Sequence, residues 1–175
     1  MKSLKTIQKT LRVFQILTKI IMILTFLWAG LAALGMLSAM VWQRGGVVIG
    51  ANRAWLQALA KTSEPDGMTA FFLAQTIQAL ADGTLLAFAY YYLKLEQADG
   101  TPFTQRGARQ IRSLGIRTIV LSVVACVVIA AIGAALGLSL DAVGTRGLVY
   151  TVAMGVLLIL ASLVLRYGAE LDGRQ

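Results

Sequence analysis

The sequence predicts an all-α integral membrane protein. It has four transmembrane helices, both termini cytoplasmic, and a third helix extended into the cytoplasm. Three observations lead there. Apolar residues make up 58% of the chain and charged residues only 14%, where a soluble domain carries about 25%. Four apolar runs, over 16–41, 68–92, 118–138 and 147–165, match the roughly 20 residues needed to cross hydrocarbon. The basic residues are also unevenly shared between the polar segments, as a cytoplasmic bias would place them.

The 175 residues read as a single membrane domain with a mean hydropathy of +0.75. The bilayer takes the apolar surface, so no large water-hidden core is required. The net charge of +8 is read as topology rather than as a footprint for nucleic acid.

The chain opens on a basic arm with Lys2, Lys5, Lys9, Arg12 and Lys19. Ile7, Leu11 and Phe14 give it one apolar helical face. No breaker separates the arm from the first apolar run. That run is about twice the length of a signal-peptide core, which has roughly 7–15 residues, so it is read as an uncleaved span. Residues 43–67 form the first outer loop. Asn52 to Lys61 suggests a short interfacial helix carrying Trp55, Leu56 and Leu59. Glu64-Pro65-Asp66-Gly67 reads as a closing turn.

The second span is the least apolar, with Gln75, Gln78 and Asp82 inside it and Tyr90 to Tyr92 at its inner edge. A polar hinge follows over 93–117. Asp99-Gly100 signals a turn, and Thr101-Pro102 favours extended backbone. Thr104 is a plausible N-cap, with Phe103 and Ala108 placed as a hydrophobic staple. On a helical wheel, Arg106, Arg109, Arg112 and Arg117 fall on one side, while Phe103, Ile111 and Leu114 fall on the other. No breaker interrupts this helix before Leu138, so the third span is expected to begin as a basic stalk. A short outer loop over 139–146, the fourth span and a polar end complete the chain.

With both termini inside, the inner segments hold Lys2, Lys5, Lys9, Arg12, Lys19, Lys94, Arg106, Arg109, Arg112, Arg117, Arg166 and Arg174. The outer loops hold Arg44, Arg53, Lys61 and Arg146. Twelve against four fixes the expected orientation.

The chemistry on offer is narrow. The chain has no histidine and one cysteine, Cys126, within an apolar run. It therefore lacks the commonest general base, an internal disulfide and a cysteine metal site. Asp99-Gly100-Thr101 lacks the glycine pattern of a phosphate loop. No nucleophile, base and orienting group assemble, so neither an enzyme nor a cofactor is expected.

Asp82 is the strongest single feature. A carboxylate at mid-span costs about 2.5–3.5 kcal/mol on insertion scales, and Gln75 and Gln78 share its face. The strip must turn inward. One reading is a proton or cation site with Asp82 titrating; the other is a hydrogen-bonded Asp that holds helices together. No basic residue lies at matching depth in another span, so no ion pair is expected. Gly133 with Gly137, and Ala130 with Ala134, place small residues on one face of the third span. They favour close packing within a four-helix bundle, with a homo-oligomer as the other use. The basic arm and stalk suit anionic lipid headgroups. They lack the pattern of a nucleic-acid module, so no direct nucleic-acid contact is expected.

The hinge from Leu93 to Gly115 resembles a bacterial membrane family known as domain of unknown function 2975. Gly100, Pro102, Phe103, Thr104, Arg112, Leu114 and Gly115 match its cytoplasmic motif, with Ile111 in a leucine place. The ending from Arg166 to Leu171 is also similar. Gly107 stands where the family often has Asn, and many relatives continue into an acidic, then apolar tail beyond the equivalent of Leu171. The resemblance implies four spans and no settled biochemical activity. It also implies a genetic association with a small helix-turn-helix regulator, and hence a membrane protein that tethers or senses for it. The docking surface would comprise Gly100, Pro102, Phe103, Thr104, Arg106, Arg109, Arg112 and Arg117. The other readings are a small ion-coupled carrier using Gln75, Gln78 and Asp82, and a structural or immunity-type membrane subunit.

Overall fold

A computed structural model describes residues 2–45, 51–61, 64–99, 105–137 and 146–172. The described residues form five helices and no strand: α1 (Lys2–Gln43), α2 (Ala51–Ala60), α3 (Pro65–Asp99), α4 (Gln105–Ala135) and α5 (Arg146–Asp172). Four are long and apolar enough to cross a membrane, over Lys9–Gln43, Asp66–Leu95, Gly107–Ala135 and Tyr150–Gly168. Their most apolar windows have mean hydropathies of 2.3, 1.3, 2.7 and 1.9, so the second is the least apolar. The hinge residues Gly100, Pro102, Phe103 and Thr104 lie outside the described residues.

The basic arm and first span are one helix. With 42 residues, α1 is about 63 Å long at 1.5 Å per residue. It holds no proline, and it stops where Gly45 takes a left-handed φ of 76°. The Gly45 amide then bonds the Trp42 carbonyl at 3.0 Å, a helix-ending turn that glycine permits without strain. The turn expected at Glu64 to Gly67 is instead the first turn of α3. Pro65 opens the helix and the Met68 amide bonds the Glu64 carbonyl at 3.1 Å. Proline at a helix start has the φ it would need in a turn, and its missing donor costs nothing there.

The helix of the third span ends at Ala135, a few residues before the expected Leu138. The Leu136 amide bonds Ile132 at 3.0 Å and the Gly137 amide bonds Ala134 at 3.2 Å, with Gly137 at a φ of 67°. Gly137 is therefore a cap and not half of a packing motif. Ala130 and Ala134 are exposed, and only Gly133 of the four small residues is buried.

The long helices stand in a row rather than a closed bundle. α1 packs along α3, α4 packs along α5, and α3 meets α4 between the two pairs. Among the described residues α1 has no substantial contact with α4 or α5. The pairs are held by size-matching. In the first, the Phe72 ring of α3 lies over Gly35 of α1, and Phe26 of α1 lies over Gly83 of α3. In the second, α4 and α5 touch backbone to backbone. A Cβ on Gly115 would lie 2.7 Å from the Gly155 carbonyl oxygen. Ala108, Thr118, Ser122 and Ala125 continue the buried face of α4. Thr118 and Ser122 bond back to the carbonyls of Leu114 and Thr118, so burial leaves neither hydroxyl unsatisfied.

The main buried cluster comprises Ala32, Ala39, Leu56, Met68 and Phe72. It sits at the end where α2 folds over α1 and α3. Gln43 at the end of α1 donates to Asp66 in the first turn of α3. The outside is different. The most apolar windows of the four helices are only 11–28% buried, and Leu34, Val127 and Val164 stand 61, 61 and 71% exposed. In water such a surface would drive aggregation. In a bilayer it is the expected exterior, with every backbone bond satisfied within a helix.

Candidate functional site

Two polar constellations lie on this frame. The first is a groove between α1 and α3. Gln75, Gln78 and Asp82 occupy successive turns of one α3 face and are all half-buried. Opposite them α1 presents Ile21, Leu24, Thr25 and Trp28 around a space of about 280 Å³. The Trp28 indole N–H donates to Gln75 Oε1 at 3.4 Å. Gln78 Nε2 donates to Asp82 Oδ1 at 3.1 Å. Among the described lining residues none is basic, so the carboxylate faces amides, an indole and a hydroxyl rather than a counter-ion. The groove offers acceptors for a cation or a polar group between apolar walls. Sequence reasoning missed Trp28 and Thr25. The available signal was an indole donor inside an apolar run, which needs an acceptor at that depth.

The second constellation is at the end where α3 passes to α4. Arg109 and Arg112 are exposed on α4. With Ala108 they share a space of about 160 Å³ with Ser162, Leu163 and Arg166 of α5. Arg117 turns away. Its guanidinium carbon sits 4.4 Å from the Phe88 ring centroid, in a space lined also by Tyr91 and Tyr92 of α3. Cation–π contacts of this kind are worth about 0.5–2 kcal/mol. The single arginine face read from the sequence thus divides between two neighbours. Positions 112 and 117 are about 140° apart at 100° per residue, and α4 is flanked by α5 on one side and α3 on the other. The side chain of Arg106 lies outside the described residues. Arg166 was read from the sequence as an inner charge and as the start of the family-like ending; the pairing of α4 with α5 brings it beside the space that Arg109 and Arg112 line.

No family model, no curated protein and no solved structure matches the chain. The resemblance at the hinge therefore stands on its motif residues alone.

Proposed function

We propose that this chain is a non-enzymatic protein of the bacterial inner membrane, with both termini in the cytoplasm, that docks a partner on its basic inner end. The observation that carries the reading is the exposed pair Arg109 and Arg112, with no carboxylate among the described residues lining the space they share with Arg166. α3 runs on to Asp99 and α4 begins at Gln105, so two helical arms bracket the connection 100–104. The motif Gly100, Pro102, Phe103, Thr104 falls on that connection, and Arg106 adds to its charge. The partner class is a small helix-turn-helix regulator, as the family resemblance suggests, and an acidic patch on it would complement Arg109 and Arg112.

The test is recovery of a regulator encoded beside the gene, using protein purified in detergent. Wild type is expected to retain it. The R109E/R112E double variant is expected to lose at least about tenfold, since reversing a charge removes an ion pair and adds repulsion, each effect being about 1–3 kcal/mol. D82N is expected to bind as wild type does. Wild-type protein that never recovers such a regulator would remove the proposal.

A second reading follows from the groove that joins Trp28 to Gln75 and Gln78 to Asp82. It is a small carrier for a proton or cation, with Asp82 as the exchanging group. D82N that inserts and folds normally but abolishes an ion-dependent flux, with R109E/R112E silent, would select it.

A further inference from the structure

We propose that the groove between α1 and α3 is a binding site for a small organic cation of the alkylated-ammonium class, seated with its charge at Asp82 and its apolar part against Trp28. The inference rests on the second reading above only in taking the groove as a ligand site. It does not require that the ligand be carried across the membrane, and it is independent of what docks at the hinge.

The Asp82 end of the groove is built of acceptors. Asp82 Oδ1 accepts from Gln78 Nε2 at 3.1 Å, and Gln78 is its one hydrogen-bond partner among the described residues. No buried side-chain oxygen among them lacks a bond, so Oδ2 opens on the groove. The Thr25 hydroxyl donates to the Ile21 carbonyl at 2.8 Å, and only its lone pairs remain for a ligand. Gln78 turns its amide nitrogen to Asp82, which leaves its oxygen as the outer end. Gln75 gives its oxygen to the Trp28 indole. Its amide donor belongs to a residue about 10 Å along α3 from Asp82, at 1.5 Å per residue.

Trp28 supplies the second half of the site. Phe26 of α1 lies over Gly83 of α3, which sets Thr25 and Phe26 near the level of Asp82. Trp28 therefore stands about one helical turn along the groove, roughly 5 Å. Its N–H bonds to Gln75 in the ring plane, so the bond fixes the indole and leaves the π faces for other contacts. Tryptophan is the best aromatic partner for a cation, within about 6 Å of the ring centroid. A carboxylate and an indole at this spacing suit an ammonium whose alkyl or aryl groups reach along the wall.

The surroundings select an organic cation over a proton or a metal ion. A proton needs no room, and the groove holds about 280 Å³. A cavity of about 150 Å³ admits a benzene-sized guest, so this one admits a cation of roughly two rings. Calcium takes about six to eight oxygen ligands, more than Asp82, Thr25 and Gln78 offer. No group of three His, Cys, Asp or Glu among the described residues could hold a metal. The remaining walls, Ile21, Leu24 and Ala79, are apolar. Ile21 and Leu24 are 50 and 58% exposed, so the groove opens sideways on lipid. A charge shielded by alkyl groups loses less on leaving water than a bare ion does, and such a cation can arrive by that route.

The experiment measures equilibrium binding of tritiated benzyltrimethylammonium to full-length protein in nonionic detergent. Saturable binding of one molecule per chain is expected. Neopentylbenzene has the same shape without the charge and should not compete at concentrations equal to the probe. Asp82→Asn removes a charge that lipid penalises, so it should insert and fold. It should weaken binding at least about tenfold, the scale of one charge-assisted contact. Trp28→Leu should weaken it about three- to tenfold, and Trp28→Phe, which keeps a ring, should fall between Trp28→Leu and wild type. Helicity by circular dichroism should be unchanged in all three. Binding insensitive to both Asp82→Asn and Trp28→Leu would overturn the site. Displacement by sodium or potassium at concentrations equal to the probe would overturn the organic-cation assignment and leave an inorganic-cation carrier standing. Equal competition by neopentylbenzene would overturn it too, since the groove would then have no use for the charge. Uptake of the probe into proteoliposomes is read separately: a chain that binds it and never carries it keeps the site and loses the carrier reading.

Discussion

Replacing Gly115 by leucine is expected to separate α4 from α5. The side chain has nowhere to go: a Cβ there would lie 2.7 Å from the Gly155 carbonyl oxygen and 3.2 Å from the Ile159 amide nitrogen. Both are backbone atoms, and neither can rotate aside as the end of a side chain does. From the other helix, a Cβ on Gly155 would lie 2.9 Å from the Gly115 carbonyl oxygen. Helix association in lipid gains little from hiding apolar surface, because the tails are as apolar as leucine; it depends on close packing. Moving the axes apart therefore forfeits most of what holds this pair. Gly115→Ala should cost about 1–3 kcal/mol, the usual range for overpacking, and the leucine should abolish the pairing. Cysteines replacing Ala108 and Ser162, which border the same space, report on it when Cys126 is replaced by alanine. Oxidative crosslinking is expected in the parent and should be lost in Gly115→Leu. An equal yield in both would show that the crossing does not depend on this glycine.

The helices were legible because their lengths and polar separators were. The pairing was not, and the reason is physical. In a soluble helix polarity separates the core face from the solvent face. Here both faces are apolar, so Leu34, exposed to lipid, and Ala32, buried against α3, differ in size rather than polarity. The readable signal was a period of small residues. It runs through Ala29, Ala32, Gly35 and Ala39 in α1, and through Gly115, Thr118, Ser122 and Ala125 in α4. Spacing alone pointed to Gly133 and Gly137 because it cannot tell a packing glycine from one that adopts a left-handed φ. It also could not join Gly115 to Gly155, or Arg112 to Arg166, since those meetings depend on which helices pair. The polar strip of α3 was visible because Gln75, Gln78 and Asp82 lie within one helix at helical spacing. Its partner Trp28 belongs to another helix and was not visible.

The fit of Phe72 over Gly35 gives the second large effect, in the α1–α3 pair. Phe72 is 1% exposed, and a Cβ on Gly35 would stand 2.8 Å from its Cδ1 and 2.9 Å from its Cε1. The ring is pinned by its neighbours Met68 and Leu56 in the main buried cluster, so it cannot simply swing out. Gly35→Ala should lower stability by about 1–3 kcal/mol. Phe72→Ala would cost about 3–5 kcal/mol in a soluble core. In lipid the unpaired side chain is not returned to water, so mainly the lost packing counts and roughly 2–3 kcal/mol is expected. Combining the two should cost less than their sum by about 1 kcal/mol, because the alanine at 72 removes the ring that the methyl at 35 strikes. Gly30 is the control: nothing lies within 4 Å of its Cβ position, so Gly30→Ala should be neutral or stabilise by about 0.5–1 kcal/mol through helix propensity. Reversible unfolding in mixed micelles measures all four variants. Additivity of the Gly35 and Phe72 changes to within about 0.5 kcal/mol would mean that the ring does not fill the glycine notch, and the register proposed for α1 against α3 would have to shift.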